Sequence, residues 1–197
     1  MYFPRLYPDE LLYSGIARCR VHLGIGNHKT LLHMLFGDSK VAAITDLPTH
    51  LTALANNTGL DAEGMILNHT LFPLYAPFIP PERRTDLFQA MLAPDRPTIG
   101  LSGASTALVK WPDWLRYCPI CFEDMAARYG EPYWQRSWQI QGIDACPEHG
   151  CQLLNSPILF RRAQRHEFHP ASPLFLPLDV HVSPVGDEAI RLANAAI

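Results

Sequence analysis

The sequence predicts a mainly α-helical protein with two modules of different kind. Before residue 93, apolar residues recur at helical spacing in segments that proline, aspartate or glycine bound. After residue 110, four of the five cysteines and all four tryptophans fall between Trp111 and Leu154. We therefore expect a helical module first, followed by a cysteine-rich module with short β-strands.

The first module should contain five helices. Pro8, Asp9 and Glu10 favour the start of the first helix, and Gly24 its end. The next three are expected in "NHKTLLHMLFG" up to Gly37, in "TDLPTHLTALANNTG" from near Pro48 to Gly59, and from Asp61 to about His69. The last is expected in "PERRTDLFQAML", which ends at Leu92.

A proline-rich segment interrupts this helical pattern. "FPLYAPFIPP" carries four prolines, too many for a helix interior or a central strand. We therefore expect an irregular apolar connector from Phe72 to Pro81. "APDRPTIGLSGAS", which follows the last helix, predicts a loop between the two modules.

The third and fourth predicted helices have the pattern of a helix-turn-helix unit. They meet at a short turn that contains Gly59, with the small residue Ala55 four positions earlier. The same pattern fits a plain αα-hairpin. The second helix begins with Asp61 and Glu63, which repel phosphates, and no Lys or Arg follows before Arg83. Protein contact is therefore favoured for this unit, with DNA reading as the alternative.

Two matched pairs in the second module predict a zinc site. Cys118 and Cys121 are separated by two residues, and so are Cys146 and His149. Each pair fits one tight turn with both donors facing inward, and two such turns supply the four tetrahedral positions of structural zinc. A disulfide framework would leave an odd cysteine and would not use the matched histidine. The expected module is therefore zinc-ribbon-like.

Cys151 is an alternative fourth ligand in place of His149. It lies five residues after Cys146, outside the two-residue spacing, so we expect a small buried side chain on the next strand. Cys19 is expected in the core of the first module. A catalytic zinc site is disfavoured because four protein ligands are available, although hydrolysis assisted by a carboxylate such as Glu148 is the alternative.

The rest of the second module is expected to be partly helical and partly extended. "EPYWQRSWQI" is the predicted helix between the ligand pairs, with Trp134 and Trp138 on one face as core residues. "HPASPLFLPLDVHVSP" is expected to be extended. A final helix should begin at Asp187 and reach the last residue without a cap, which suggests a chain cut within a helix.

The charge distribution limits the partners. Sixteen Lys and Arg against nineteen Asp and Glu give a net charge of -3, so the whole chain has no strong attraction for nucleic acid. No signal-like or membrane-spanning apolar run is found, which predicts a cytosolic protein. The strongest basic cluster consists of Arg161, Arg162 and Arg165. It could contact phosphates or an acidic partner, or it could simply be exposed to solvent.

These features divide the chain into three expected parts. Residues 1–95 would form the helical helix-turn-helix-like module, and residues 96–160 the zinc-binding module. Residues 161–197 would form a basic, proline-rich connector and the start of a C-terminal helical region.

Several quoted segments together resemble the TniQ family, and within it the TnsD-like branch of transposon target-selection proteins. They are "FPRLYPDELLYSGIAR", "HTLFPLYAPFIPPERR", "RYCPIC", "RYGEPYWQRSW" and "CPEHG", in the order of the family. The resemblance implies a non-enzymatic adaptor in DNA transposition. It also implies that the family zinc ligands correspond to Cys118, Cys121, Cys146 and His149.

The partners implied by the resemblance are a target DNA, or a guide-RNA effector complex of the CRISPR type on it, and an AAA+ ATPase. That ATPase would recruit a separate transposase, in the bacterial cytoplasm and without a membrane; homodimerisation stays open. TnsD-like proteins are much longer, so this chain would correspond to their N-terminal part; a short natural TniQ protein is the alternative. The alternative function is a site-specific helix-turn-helix or zinc-dependent transcriptional regulator that binds DNA directly.

Overall fold

The structure, a computed structural model, describes residues 1–94, 96–98, 100–103, 109–160, 165–176 and 182–196. The chain forms two compact units: unit 1 is Met1–Leu108 with Gln164–Phe168, and unit 2 is Val109–Ala163 with His169–Ile197. The predicted fold class is confirmed, because the described residues form eight α-helices and a two-stranded sheet. The division at residues 95 and 160 stays a prediction.

Unit 1 contains six of these helices. They are α1 Leu12–His22, α2 His28–Phe36, α3 Leu51–Thr58, α4 Ala62–His69, α5 Phe72–Tyr75 and α6 Pro81–Leu92. Their inward faces supply a largely aliphatic core of fully buried leucines, Leu31, Leu32, Leu35, Leu51, Leu54 and Leu87. All five helices expected from the sequence are present.

The first helix begins differently from the expectation. It starts at Leu12, Asp9 has a φ of 54°, and no acidic residue lies in its first turn. Glu10 is instead fully buried, 2.8 Å from Arg18 Nη1, and also accepts the Tyr7 N–H at 2.9 Å. The expected helix-start role of these acids is therefore wrong, because Glu10 forms a tertiary ion pair that ties the N-terminal segment to α1.

The proline-rich segment is also more helical than expected. It contains α5 and a 3-10 turn, Ala76–Phe78, each with a proline in its first turn. Proline is tolerated there because the first-turn N–H groups have no partner within the helix. The expectation of an irregular connector is wrong for these seven residues.

The helix pair α3 and α4 has the expected turn. Gly59 ends α3 in the left-handed conformation, with φ of 78°, and Asp61 caps α4 by accepting the Gly64 N–H at 2.8 Å. Helix α3 starts at Leu51, later than Pro48, because His50 before it has a φ of 66°. The α4 residues Met65 and Ile66 are buried in unit 1.

Unit 2 contains a small sheet with a helix directly after its first strand. Strand β1, Trp114–Tyr117, pairs antiparallel with β2, Leu154–Leu159, with Tyr117 opposite Leu154. Helix α7, Pro119–Tyr129, follows β1, and α8 is Asp187–Ala195. No α-helix forms in "EPYWQRSWQI", where the structure has only the 3-10 turn Ser137–Gln139. That prediction is wrong because Gly130 ends α7 and tertiary burial, not helical periodicity, positions both tryptophans.

An aromatic cluster forms the core of unit 2. Trp134 and Trp138 are fully buried, with ring centroids 5.6 and 5.8 Å from Phe122 on α7. Tyr117 stacks on Phe122 with ring centroids 4.5 Å apart, and Trp134 stacks on Phe175 at 6.0 Å. The expected core role of the tryptophans is confirmed, although they pack from a loop.

The C-terminal part of unit 2 packs onto this core. The Tyr117 hydroxyl donates to the Phe175 carbonyl at 2.7 Å, next to the 3-10 turn Pro173–Phe175. Residues 177–181 of the expected extended segment lie outside the described residues. Among the described helices, none combines the length and apolar character required to cross a lipid bilayer.

Candidate metal centre

The first pair of predicted ligands lies where β1 meets α7. Cys118 is the N-cap of α7, and its sulfur accepts the Cys121 N–H at 3.5 Å. Pro119 occupies the first turn, where its fixed φ suits the start of a helix. This pair was expected on a tight turn like the second one. It lies instead on the first turn of a helix, whose N-terminus favours negative charge on both sulfurs.

The second pair lies on a reverse turn between two short paired segments. The Gly150 N–H donates to the Cys146 carbonyl at 2.9 Å, and the Cys146 N–H donates to the Cys151 carbonyl at 2.8 Å. Gly150 has a φ of 58°, as expected for a residue that closes such a turn. Ile190 of α8 lies 3.0 Å from the position that a Cβ on Gly150 would occupy.

The four predicted ligands lie together. The His149 Nδ1 atom is 3.2, 3.6 and 3.8 Å from the sulfurs of Cys121, Cys118 and Cys146, respectively. All four donor atoms lie within 4.8 Å of one another. The Cys121 and Cys146 sulfurs are 3.7 Å apart. A tetrahedral metal with sulfur at about 2.3 Å and nitrogen at about 2.0 Å has ligand–ligand edges of about 3.5 to 3.8 Å. The cluster could therefore hold a metal ion.

Burial and charge at the cluster also fit a cation. Hydrogen bonds from the Cys118 and Cys121 thiols lower the pKa of Cys146 to about 2. The hydrogen bond with Cys118 raises the pKa of Cys121, and the interaction with Cys146 and burial add to that rise. Without a metal, the buried cluster therefore favours one thiolate over several. A bound divalent cation would compensate the repulsion between three thiolates.

One carboxylate near the cluster was missed in the sequence. Asp124 Oδ2 lies 3.5 Å from His149 Nε2, on the side of the imidazole opposite the sulfurs. A carboxylate in this position orients a metal-binding histidine by accepting its second N–H. The local signal is an acidic residue one helical turn after Cys121, but its proximity to His149 depends on the tertiary fold.

A carboxylate and a further cysteine lie next to the cluster. Glu148 Oε2 lies 3.6 Å from the Cys121 sulfur. Cys151 is buried, with its sulfur 3.5 Å from that of Cys118, and it lies outside the set of four mutually close donors. Cys19 lies in the core of unit 1, where burial raises the pKa of its thiol to about 11.

A buried amide supports the strand that leads to Cys118. The Gln139 side chain accepts the Arg116 N–H at 3.0 Å and donates to the Arg116 carbonyl at 2.9 Å, as a neighbouring strand would. The Arg116 guanidinium donates to Asp144 at 2.7 Å and to the Ile140 carbonyl at 2.8 Å. These contacts join β1 to the segment that precedes Cys146.

Known families and proteins show to which family the chain belongs. A model of the TniQ family matches residues 1–153, which include all four clustered donors. The chain belongs to the TniQ family. It is also 40% identical over 174 residues to the Transposon Tn7 transposition protein TnsD of Escherichia coli. That match covers 84% of this TniQ chain and 33% of the relative, so the chain spans about one third of the relative's length.

The basic cluster is divided by the limits of the described residues. Arg161 and Arg162 lie outside them, whereas Arg165 belongs to unit 1 of this TniQ chain. The Ala43 N–H donates to the Arg165 carbonyl, and His166 Nδ1 donates to the Val41 carbonyl, both at 2.9 Å. Residues 165–167 line an open pocket of about 560 Å³ together with residues 26–29 at the start of α2.

Proposed function

We propose that this TniQ chain is a target-selection adaptor in DNA transposition. It links target DNA, directly or through a guide-RNA effector complex, to an AAA+ ATPase that recruits the transposase. The observation that carries the proposal is the similarity to a transposition protein across 84% of the chain. The role is non-enzymatic: recognition surfaces bring the other components together on the target.

Zinc is the metal that we propose for the donor cluster. Three cysteine sulfurs and one imidazole nitrogen favour zinc over Mg²⁺ or Ca²⁺, which prefer oxygen ligands. Cys118 and Cys121 would hold it from the start of α7, and Cys146 and His149 from the reverse turn. When bound, the ion supplies a cross-link between these segments. Four protein donors leave no coordination position for substrate, so the proposed centre is structural.

The DNA contact that we propose is with the phosphate backbone at the pocket of unit 1. Lys29 and Arg165 are both exposed and line this pocket from segments that are distant in sequence. Among the described residues, neither side chain forms an ion pair. Glu167 lines the same pocket and opposes phosphate binding, so the expected affinity is moderate and sensitive to salt.

The adaptor proposal is tested by recruitment of the ATPase. The tagged chain is incubated with the AAA+ ATPase of the same transposon, with and without nucleotide and target DNA, and captured. We expect co-capture by the wild-type chain and by Cys19→Ala, and loss of capture for Cys146→Ser, which removes a proposed metal ligand. Absence of capture by the wild-type chain under every condition would refute the adaptor role.

The phosphate contact is tested separately by fluorescence anisotropy with labelled duplex DNA. Lys29→Gln and Arg165→Gln should each reduce the slope of log affinity against log salt by about one. Arg84→Gln is the matched control, because Arg84 is an exposed arginine of unit 1 outside the pocket. If all three variants have the same slope of log affinity against log salt, the pocket is not the site of phosphate contact. Strong sequence selectivity by the chain alone would favour the transcriptional-regulator alternative.

A further inference from the structure

The buried sulfur of Cys151 lies beside the four-donor cluster, next to Cys118. Its side chain is 1% exposed, and its sulfur lies 3.5 Å from that of Cys118. That separation is close to the sulfur–sulfur edge of a tetrahedral site, about 3.8 Å, and it also suits a thiol–thiol contact. Cys151 is therefore a sulfur within contact distance of one proposed ligand, although the spacing of the ligand pairs excludes it.

The backbone keeps Cys151 in this position. The Cys146 N–H donates to the Cys151 carbonyl at 2.8 Å, which closes residues 146–151 into a short loop. The Gln152 N–H and the Gly150 carbonyl pair with residues 183 and 185, so the segment is held on both sides of Cys151. The sulfur is thus built into the same loop that presents Cys146 and His149.

His149 is the donor that is most accessible to solvent. Its side chain is 21% exposed, whereas the three cysteine ligands are at most 3% exposed. Its Nε2 faces Asp124, whose side chain is 68% exposed, so the imidazole lies at the surface edge of the centre. A partner or a competing ligand that attacks the centre would reach His149 before any of the sulfurs.

We propose that Cys151 is a reserve ligand of the metal centre, which takes the fourth coordination position when His149 leaves it. The inference rests on the proposed zinc site. In the exchange, the bond from Nδ1 to the metal breaks, a bond from the Cys151 sulfur forms, and the thiol proton passes to the solvent. The centre then remains closed with four sulfur ligands, and unit 2 keeps its cross-link.

Cobalt(II) provides the test, because its absorption reports the geometry and the number of thiolate ligands. The full 197-residue chain is reduced, freed of metal and titrated with Co²⁺. We expect a tetrahedral spectrum with three thiolates for the wild type. His149→Ala should give a tetrahedral spectrum whose sulfur charge-transfer band is about one-third stronger, as four thiolates require.

The double variant His149→Ala/Cys151→Ala identifies the source of the fourth sulfur. We expect His149→Ala to lose about tenfold or less in metal affinity, and the double variant to lose about 100-fold or more. His149→Ala/Cys19→Ala is the matched control and should bind like His149→Ala, because Cys19 is a buried cysteine of unit 1. Cys151→Ala alone should retain the wild-type spectrum.

Several results would overturn the proposal. One is a three-thiolate spectrum for His149→Ala, and another is equal affinity for that variant and the double variant. A four-thiolate spectrum for the wild type would make Cys151 a resident ligand. If His149→Ala does not fold, His149→Gln replaces it with the same expectations, and failure of both variants to bind cobalt refutes a reserve role. No cobalt binding by the wild type would instead refute the zinc site itself.

Discussion

Units 1 and 2 are stabilised in different ways. Unit 1 buries leucines from several helices, so its core is distributed over many side chains. Unit 2 has two short strands and α7 around one aromatic cluster, and its connecting segments meet at the four-donor cluster. Unit 1 should therefore lose stability gradually as contacts are removed, whereas unit 2 should depend on the one cross-link that the proposed metal supplies.

The two units can be observed separately. All four tryptophans lie between residues 111 and 138 in unit 2, so tryptophan fluorescence reports that unit alone. Six of the eight described α-helices lie in unit 1, so far-ultraviolet circular dichroism reports mainly unit 1. A change that destabilises one unit should therefore alter either the tryptophan fluorescence or the circular dichroism more than the other signal.

Removal of the proposed metal should have the largest effect. Binding of a structural zinc contributes on the order of 10 kcal/mol to folding in small zinc modules, so chelation should unfold unit 2. Tryptophan emission is expected to shift to longer wavelength with a smaller loss of helical signal. Cys146→Ser should show the shift without chelator, and Cys19→Ala should not. Unchanged emission after complete metal removal would contradict the dependence of unit 2 on the cross-link.

Loss of the buried arginine partner should most strongly destabilise unit 1. Arg18→Met leaves the fully buried Glu10 carboxylate without its ion pair, which costs about 3 to 5 kcal/mol. Urea unfolding followed by circular dichroism measures this loss. Glu10→Gln/Arg18→Met should recover part of it, because the buried charge is gone. If the single and double variants are equally stable, the ion pair does not explain the effect.

Loss of the buried amide in unit 2 should have an intermediate effect. Gln139→Leu leaves the Arg116 N–H and carbonyl without partners on that side of β1, and we expect a loss of about 2 kcal/mol. Urea unfolding followed by tryptophan fluorescence measures it. Gln135→Leu is the matched control, because Gln139 bonds to the main-chain carbonyl of Gln135, which the substitution keeps. An equal loss for both variants would mean that the paired amide has no special role.

Substitution of a glycine with a positive φ should give the smallest effect. Gly59 has a φ of 78°, and a Cβ at this position would meet nothing within 4 Å. Gly59→Ala should therefore cost unit 1 about 1 kcal/mol through backbone conformation alone. Circular dichroism during urea unfolding measures the loss. Gly26→Ala, with open space and no positive φ, should cost less, and the reverse order would contradict the explanation.

Local signals explain which predictions succeeded. Helices α2 and α4 have sequence-adjacent caps, Asn27 with Gly37 and Asp61, and the structure has both helices within one or two residues of their predicted bounds. The helix predicted around Trp134 is absent, because two large apolar residues four positions apart fit a loop packed into a core as well as they fit a helix. Helical periodicity alone does not distinguish these cases.

The sequence by itself determined the helical content of the first module and the two pairs of candidate metal ligands, because caps and two-residue spacings act within one turn of chain. The tertiary structure decided the rest. The ion pair of Glu10 with Arg18, the approach of Asp124 to His149 and the burial of Cys151 beside Cys118 join segments up to 33 residues apart. Such contacts depend on how whole elements pack, and no local pattern encodes that packing.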